Sequence, residues 1–319
     1  MVKQEKSIKS VIFCFKGTVL SQQEKDFFSK INPLGFIIFA RNVDNPDQLK
    51  LLIKELKKCT PRKKTLILID QEGGRVQRMT SPHWKKYPPQ EPLGDLYESN
   101  PEQAKTKAFD IAGEIAKDLT DVGINVNCLP LLDVPIDGSD KIIGDRAFST
   151  NPDAVSVLGE CQANGLLSKK VLPVIKHIPG HGRATCDSHL DLPIVDTDLE
   201  ELKGSDFKPF VFNNKYPLAM TAHLIFNAID EKNTITQSKK GISFIRDYIG
   251  FKGLIMTDDL SMKALKGNCA YKTKLCLEAG CDVVLHCNGE MSEMIEVATE
   301  IKPLNDAQLL KLSAMEKLI

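Results

Sequence analysis

The sequence has no excess of charge of either sign. Lys and Arg together number 42 and Asp and Glu also number 42, so the formal net charge of the 319-residue chain is zero. A protein that follows the phosphates of nucleic acid normally carries a basic excess. We therefore expect no nucleic-acid partner.

Long apolar runs are also missing. No stretch approaches the ~18 uninterrupted apolar residues that predict a membrane span. The first ten residues, MVKQEKSIKS, lack the apolar segment of a signal peptide. These absences predict a cytoplasmic protein with no membrane partner.

The nine cysteines form no Cys-x-x-Cys pair and no zinc-finger spacing. Several lie within apolar runs, such as Cys14 in VIFCF, and we interpret them as buried free thiols in a reducing compartment. No Pro/Ser-rich linker or low-complexity segment divides the chain. We therefore predict a single domain over residues 1–319.

Eight short apolar runs recur along the chain, and most are unalternated and rich in Val, Ile and Leu, as expected of strands buried on both faces. The predicted strands are Ser10–Phe15, Leu34–Ala40, Thr65–Asp70, Ile124–Val134, Val171–His177, Pro217–His223, Gly253–Asp258 and Asp282–Cys287.

Helical patterns separate these runs. They include the predicted helices Pro46–Cys59, Asn100–Val122, Thr197–Phe212, Leu260–Ala279 and Asp306–Leu318. Eight strands alternating with helices is the count of a closed barrel, although an open doubly wound sheet shares the alternation. We predict an α/β fold, a (β/α)8 TIM barrel.

The predicted strands end in polar residues. In a barrel, chemistry is carried out at the C-terminal ends of the strands, where all of these side chains meet. The residues at five strand ends are Asp70, Asp133, Lys176 with His177, His223, and Asp258 with Asp259. Their convergence predicts an active site at this rim.

Strand seven ends in two adjacent carboxylates, Asp258 and Asp259. A carboxylate at a strand tip points into the barrel mouth, where it can act on a substrate. The alternative is that either residue caps the following helix, and two adjacent residues allow one role for each.

The loop after strand five, KHIPGHGRATCDSH, contains three of the six histidines. Asp187 and His189 are two residues apart, so the carboxylate can orient the imidazole as a proton-transfer dyad. A metal site or a solvated histidine remains open as an alternative. Lys176 fits either a Schiff base, as in some aldolases, or sugar binding.

Two arginines, Arg78 and Arg146, follow strands three and four. Rim arginines bind carboxylates, phosphates or sugar hydroxyls, although surface placement is the alternative for either one.

Taken together, the motifs resemble family 3 glycoside hydrolases, and within them the single-domain bacterial β-N-acetylglucosaminidases of peptidoglycan recycling. The resemblance spans roughly residues 10 to 290 in the family's order. It rests on GFIIFARN, IDQEGGRVQRM, LLDV, IGDRAFS, KHIPGHG with DSH, MTAH, MTDDLSM and AGCDVVLHCN. The second domain of larger relatives is not expected here.

The resemblance implies a role for each matching residue. Asp258 corresponds to the nucleophile of a retaining mechanism, and His189 corresponds to the acid/base paired with Asp187. The implied sugar-binding residues are Asp70, Arg78, Arg146, Lys176 and His177. It also implies a GlcNAc-containing muropeptide as substrate, no cofactor, no metal and a monomer.

Two departures from the family pattern are Ile178, where Phe is usual, and Thr257, where Ser is common; neither removes a functional group. Three alternatives remain. One is a β-glucosidase or other exo-glycosidase of the same family, against which the Asp187–His189 pair argues. The second is a metal-dependent hydrolase that uses strand-tip residues, namely His177, His223, Asp258 and Asp70. The third is a catalytically silent sugar-binding barrel.

Overall fold

The structure is a computed structural model that describes residues 7–184 and 192–319. Eight parallel strands form a closed barrel. They are β1 (Lys9–Phe13), β2 (Pro33–Ile38), β3 (Leu66–Ile69), β4 (Val126–Asn127), β5 (Leu172–Ile178), β6 (Leu218–Thr221), β7 (Leu254–Asp259) and β8 (Val283–His286). The predicted (β/α)8 fold is confirmed.

The barrel closes where β1 pairs in parallel with both β2 and β8. Phe13 lies opposite Phe36 on one side and His286 on the other. Closure removes the unpaired edges of the sheet, and it brings all strand C-termini to one rim.

Helices cover the outside of the barrel. They are α1 (Gln22–Ile31), α2 (Pro46–Lys58), α3 (Glu91–Ser99), α4 (Pro101–Val122), α5 (Pro152–Ser168), α6 (Leu199–Gly204), α7 (Lys208–Phe212), α8 (Lys239–Asp247), α9 (Cys269–Ala279), α10 (Met291–Glu300) and α11 (Asp306–Glu316). Among the described residues, no helix combines the length and the apolar character needed to cross a membrane.

Successive residues of each strand face two different cores. On β3, Leu66 and Leu68 belong to the inner core of the barrel, whereas Ile67 and Ile69 belong to the layer between the barrel and the helices. Because both faces are buried, the strands appear in the sequence as continuous apolar runs. The eight cysteines in the described ranges are free thiols, and seven of them are buried.

The fourth strand is shorter than predicted. Only Val126–Asn127 forms a ladder, whereas the prediction extended to Val134. Pro130 has no N–H to donate to a ladder. The chain beyond it still follows β5, with Leu132 N donating to Lys176 O over 2.7 Å.

Two predicted helices have different bounds. The helix expected from Leu260 begins at Cys269, because the Asn268 side chain caps it and Gly267 has a left-handed φ of 97°. The helix expected over residues 197–212 is two short helices. The first of them is capped by Asp198, whose carboxylate accepts from Glu200 N over 2.8 Å.

Candidate active site

A cavity of about 180 Å³ opens at the C-terminal rim of the barrel. Six of the eight predicted site residues line it, namely Asp70, Arg78, Arg146, Lys176, His177 and Asp258. The other two, Asp187 and His189, lie outside the described residues. The fold therefore brings together side chains that are up to 188 positions apart in sequence (258 − 70).

The floor of the cavity contains a buried ion pair. Lys176 on β5 donates from Nζ to Asp70 Oδ1 over 2.9 Å, and the lysine side chain is only 2% exposed. Burial raises the pKa of Asp70, but the charges of Lys176 and Arg78 outweigh it, so the net pKa lies below its usual value. Asp70 is therefore held as a carboxylate that can accept hydrogen bonds from ligand hydroxyls.

Glu72 is a second buried carboxylate in this cluster, and the sequence analysis did not single it out. Its side chain accepts two hydrogen bonds from Arg146, at 2.8 and 2.9 Å, and lies 2.5 Å from Lys176 Nζ. Burial would raise the pKa of Glu72, but the two cations lower it well below its usual range. Glu72 thus fixes the positions of Arg146 and Lys176.

Arg78 forms one side of the cavity. Its Nη2 lies 3.4 Å from Asp70 Oδ2, and its guanidinium lies over the Phe39 ring at 5.2 Å from the centroid. Stacking on an aromatic face restricts the guanidinium plane while leaving N–H groups along its edge. Arg78 is thereby oriented for polar contacts with a ligand.

His177 is held by Asp133 at the end of the β4 segment. Its Nδ1 lies 2.7 Å from Asp133 Oδ2, and the backbone N–H groups of His177 and His181 donate to Asp133 Oδ1. Burial raises the pKa of Asp133, but the charge of His177 outweighs it and lowers the net pKa. The carboxylate fixes the ring, so that Nε2 is the nitrogen left to face the cavity.

The two adjacent carboxylates at the end of β7, Asp258 and Asp259, both line the cavity but have different surroundings. Asp259 accepts hydrogen bonds at Oδ1 from Ser261 N, at 2.9 Å, and Cys287 N, at 3.0 Å, while its Oδ2 accepts from Ser261 Oγ. Asp258 Oδ1 accepts from Asp259 N over 2.8 Å. Asp259 therefore organises the turn after β7 through these three hydrogen bonds.

The strand-tip residues that a metal-dependent hydrolase would use as ligands make other contacts in this structure. His223 contacts Thr236 Oγ1 through Nδ1 at 2.8 Å and Asp259 O through Nε2 at 3.2 Å. His177 and Asp70 have the partners described above. Within residues 7–184 and 192–319, these four side chains do not gather their ligand atoms around a common point.

The loop after β5 is packed closely where it begins. A Cβ on Gly182 would lie 1.9 Å from Val134 O, so only glycine fits this close approach to the backbone. The next residue, Arg183, donates to Asp206 over 2.7 Å and pairs with Glu201 at 2.8 Å. These contacts attach the start of the loop to the segment after β4 and to the region of α6.

The chain matches a known family model over residues 7–315, that of the glycosyl hydrolase family 3 N terminal domain. It is 33% identical to a beta-hexosaminidase of Alkalilimnicola ehrlichii over 303 residues, which cover 93% of this chain and 86% of that protein. It is 36% identical to a beta-hexosaminidase of Neisseria gonorrhoeae over 275 residues, with coverages of 84% and 75%.

Among solved structures, the chain resembles NagZ from Neisseria gonorrhoeae in complex with N-trifluoroacetyl-D-glucosamine. The TM-score is 0.89 at 30% sequence identity, and the alignment covers 97% of this chain and 90% of that one. The predicted resemblance is confirmed, and the chain belongs to family 3 of the glycosyl hydrolases.

Proposed function

We propose that the chain is a retaining β-N-acetylhexosaminidase that removes terminal, non-reducing N-acetylglucosamine from peptidoglycan fragments such as GlcNAc-1,6-anhydro-MurNAc, with or without peptide. The glycosidase class follows from the family and from relatives named beta-hexosaminidase. The observation that carries the proposed mechanism is the different surroundings of the two carboxylates at the end of β7. Both line the cavity with Asp70 and Lys176, but Asp259 accepts three hydrogen bonds that hold it in the turn after β7, whereas Asp258 accepts one from Asp259 N.

In the first step, an oxygen of Asp258 attacks the anomeric carbon as the bond from that carbon to the leaving oxygen breaks. His189 donates its proton to the departing oxygen, and Asp187 stabilises the charged imidazolium beforehand. The sugar is then esterified to Asp258. The roles of Asp187 and His189 rest on the family resemblance.

In the second step, the now neutral His189 accepts a proton from water, whose oxygen attacks the anomeric carbon. The ester bond to Asp258 breaks and its carboxylate is restored. Two inversions leave the configuration of the released sugar unchanged. Protein side chains and the attacking water supply every proton and electron pair in this scheme, and no cofactor is required.

The buried cluster supports a sugar as the ligand. Asp70 presents a carboxylate, and Arg78, Arg146 and Lys176 present donors, which is the mixture that sugar hydroxyls need. The cavity of about 180 Å³ suits one small ligand better than a long chain, which supports cleavage at a chain end. A GlcNAc derivative is bound by the NagZ relative, and we extend that specificity to this chain.

Paired chromogenic substrates test the proposal. An aryl β-N-acetylglucosaminide should be hydrolysed with a higher kcat/KM than the matching aryl β-glucoside. Proton NMR of the first product formed should show the β anomer. A preference for the glucoside would establish the alternative exo-glycosidase, and an initial α anomer would rule out the retaining mechanism. Turnover of neither substrate would favour a silent sugar-binding barrel.

A further inference from the structure

A second group of polar side chains lies behind the tips of β7 and β8, outside the sugar cavity. It consists of Cys269, the first residue of α9, His286, the last residue of β8, and Glu293 in α10. His286 points away from the cavity toward Phe13, whose ring centroid is 6.3 Å away. The flanking residues Leu285 and Cys287 line the cavity instead. Strand alternation thus separates the two sites.

One oxygen of Glu293 is the centre of this group. His286 Nε2 lies 3.0 Å from Glu293 Oε2, and Cys269 Sγ lies 3.2 Å from the same atom. Asn288 Nδ2 donates to it over 2.6 Å. The potential ligand atoms of Cys269, His286 and Glu293 all lie within 4.8 Å of one another, and this is the one such group of three in the part of the chain that the structure describes.

These spacings suit a tetrahedral ion. Bonds of ~2.3 Å to sulfur and ~2.0–2.2 Å to nitrogen and oxygen place the ligand atoms of zinc roughly 3.2–3.8 Å apart. The observed separations from Glu293 Oε2 are close to this range, so small side-chain rotations would admit an ion. The Glu293 side chain is 37% exposed, whereas His286 is fully buried. Solvent can therefore reach the group from the glutamate side and fill a fourth position.

The chemistry of the group favours a zinc-class ion over calcium or magnesium. A thiol and an imidazole are soft or borderline ligands, whereas Ca²⁺ and Mg²⁺ prefer oxygen alone. A thiolate at Cys269 and a carboxylate at Glu293 would together balance the charge of a divalent ion.

We propose that Cys269, His286 and Glu293 bind a zinc-class divalent ion. The ion would join α9 to the end of β8 and to α10. It would thereby restrain the turn of residues 260–268, which directly follows Asp258 and Asp259. The site is separate from the proposed glycosidase chemistry and does not depend on it.

Cobalt substitution tests this site in the full chain. The protein is stripped with a chelator, dialysed and titrated with Co²⁺, and competition with Zn²⁺ gives the zinc affinity. We expect one equivalent of Co²⁺ to produce a near-ultraviolet thiolate-to-cobalt charge-transfer band, with visible bands of four-coordinate cobalt. Cys269→Ser should abolish the charge-transfer band and weaken zinc binding by at least ~10-fold.

Three further variants test whether the cobalt spectrum and the zinc affinity arise from this site. Glu293→Gln changes a partly exposed residue, and it should weaken zinc binding by at least ~10-fold even if Cys269→Ser fails to fold. Cys161→Ser alters a half-buried thiol on α5 and should leave the spectrum unchanged. Asp258→Asn removes a carboxylate of the sugar cavity and should also leave the spectrum unchanged. The proposal is overturned if wild-type protein shows no thiolate band, if the band survives Cys269→Ser, or if Glu293→Gln binds zinc as tightly as wild type.

Discussion

Lys176 Nζ lies 2.9 Å from Asp70 Oδ1, so the ends of β5 and β3 are joined by an ion pair at the floor of the sugar cavity. The same ammonium contacts Glu72, so one cation is shared by both carboxylates, in addition to Arg78 beside Asp70 and Arg146 beside Glu72. A buried charge that loses its partner is costly, because no water replaces the missing interaction.

Removing this shared cation should destabilise the protein strongly. Lys176→Met leaves two buried carboxylates with fewer partners, and we expect it to lower the free energy of unfolding by about 3 kcal/mol. Urea denaturation at neutral pH measures the effect. Lys85→Met removes the exposed pair with Glu114 and should cost less than about 1 kcal/mol. Equal costs for the two variants would contradict the importance of the buried cluster.

The two carboxylates at the end of β7 should respond differently to mutation. Asp258→Asn should lower kcat by at least ~1,000-fold, as expected for loss of a nucleophile, with little change in melting temperature. Asp259→Asn should lower the melting temperature, because it weakens the hydrogen bonds to Ser261 and Cys287. Steady-state kinetics and thermal unfolding on both variants provide the check. Near-normal turnover by Asp258→Asn would place the nucleophile elsewhere.

Acidic pH should destabilise the fold through His181. Burial, followed by the charge of His177, lowers the pKa of His181 to about 4, whereas an unfolded histidine titrates near ~6.5. The unfolded chain therefore binds this proton first as pH falls. The contribution of His181 is fully present above about pH 6.5 and declines by about 3 kcal/mol on approaching pH 4.

The folded-state pKa of Asp70 and Asp133 is also lowered, so their contributions persist above about pH 4 and are lost below it. Urea unfolding between pH 7.5 and 4.5 consequently keeps these two carboxylates charged. Burial also lowers the pKa of His223 and raises the pKa of Asp206, so the His181 contribution is obtained by comparing variants with the wild type. His181→Gln should flatten the decline in this window, whereas His83→Gln, at an exposed position, should leave it unaltered. An unchanged slope in His181→Gln would contradict the pKa assignment.

Loss of the proposed acid/base should depend on the leaving group. His189→Ala should slow cleavage of a disaccharide far more than that of a nitrophenyl glycoside, because nitrophenolate departs without a proton. Deglycosylation also loses its base, so the ester on Asp258 should accumulate and be detected by intact-protein mass spectrometry. Asp187→Ala should give a smaller difference between the two substrates and less accumulated ester, because the imidazole remains but loses its orienting carboxylate. Equal slowing of both substrates, with no trapped ester, would assign His189 to binding alone.

Treatment with a chelator tests whether hydrolysis depends on a metal ion. The proposed hydrolysis needs no Lewis acid, so activity on an aryl β-N-acetylglucosaminide should survive exhaustive treatment with a chelator. Assays at a temperature well below the melting point avoid confusion with a stability effect of the Cys269 site. Loss of activity that added metal restores in the Cys269→Ser variant would favour a metal-dependent hydrolase.

The barrel itself was predictable because parallel strands buried on both faces produce continuous apolar runs. The convergence of the strand-end residues was predictable because the C-terminal ends of all barrel strands lie at one rim. Strand four was predicted too long, since apolar composition continues past Pro130, whereas pairing with β5 beyond it is limited to an isolated bridge at Leu131. The helix after β7 was predicted to begin at Leu260, too early in the chain. Its start at Cys269 depends on the Asn268 cap, which composition does not reveal.

Side-chain partners were harder to predict. Glu72 lies two residues from Asp70 in a polar segment, and nothing in the sequence distinguishes a buried bridging carboxylate from a surface one. The contact of His286 with Glu293 depends on which face of β8 each residue occupies. Cys269 approaches them only because the barrel places β7 and β8 side by side. Such contacts depend on tertiary geometry and leave no periodic signal in the sequence.

The cluster at the cavity floor contains three cations, Arg78, Arg146 and Lys176, and two carboxylates, Asp70 and Glu72. Arg75, Asp258 and Asp259 also line the cavity, so its Arg and Lys cations and its carboxylates number four each while Asp258 carries its negative charge. Esterification of Asp258 in the proposed mechanism would leave one positive charge of the cavity without a compensating carboxylate. That imbalance favours the step that regenerates the carboxylate, so the charges that surround the sugar would shorten the lifetime of the glycosylated enzyme.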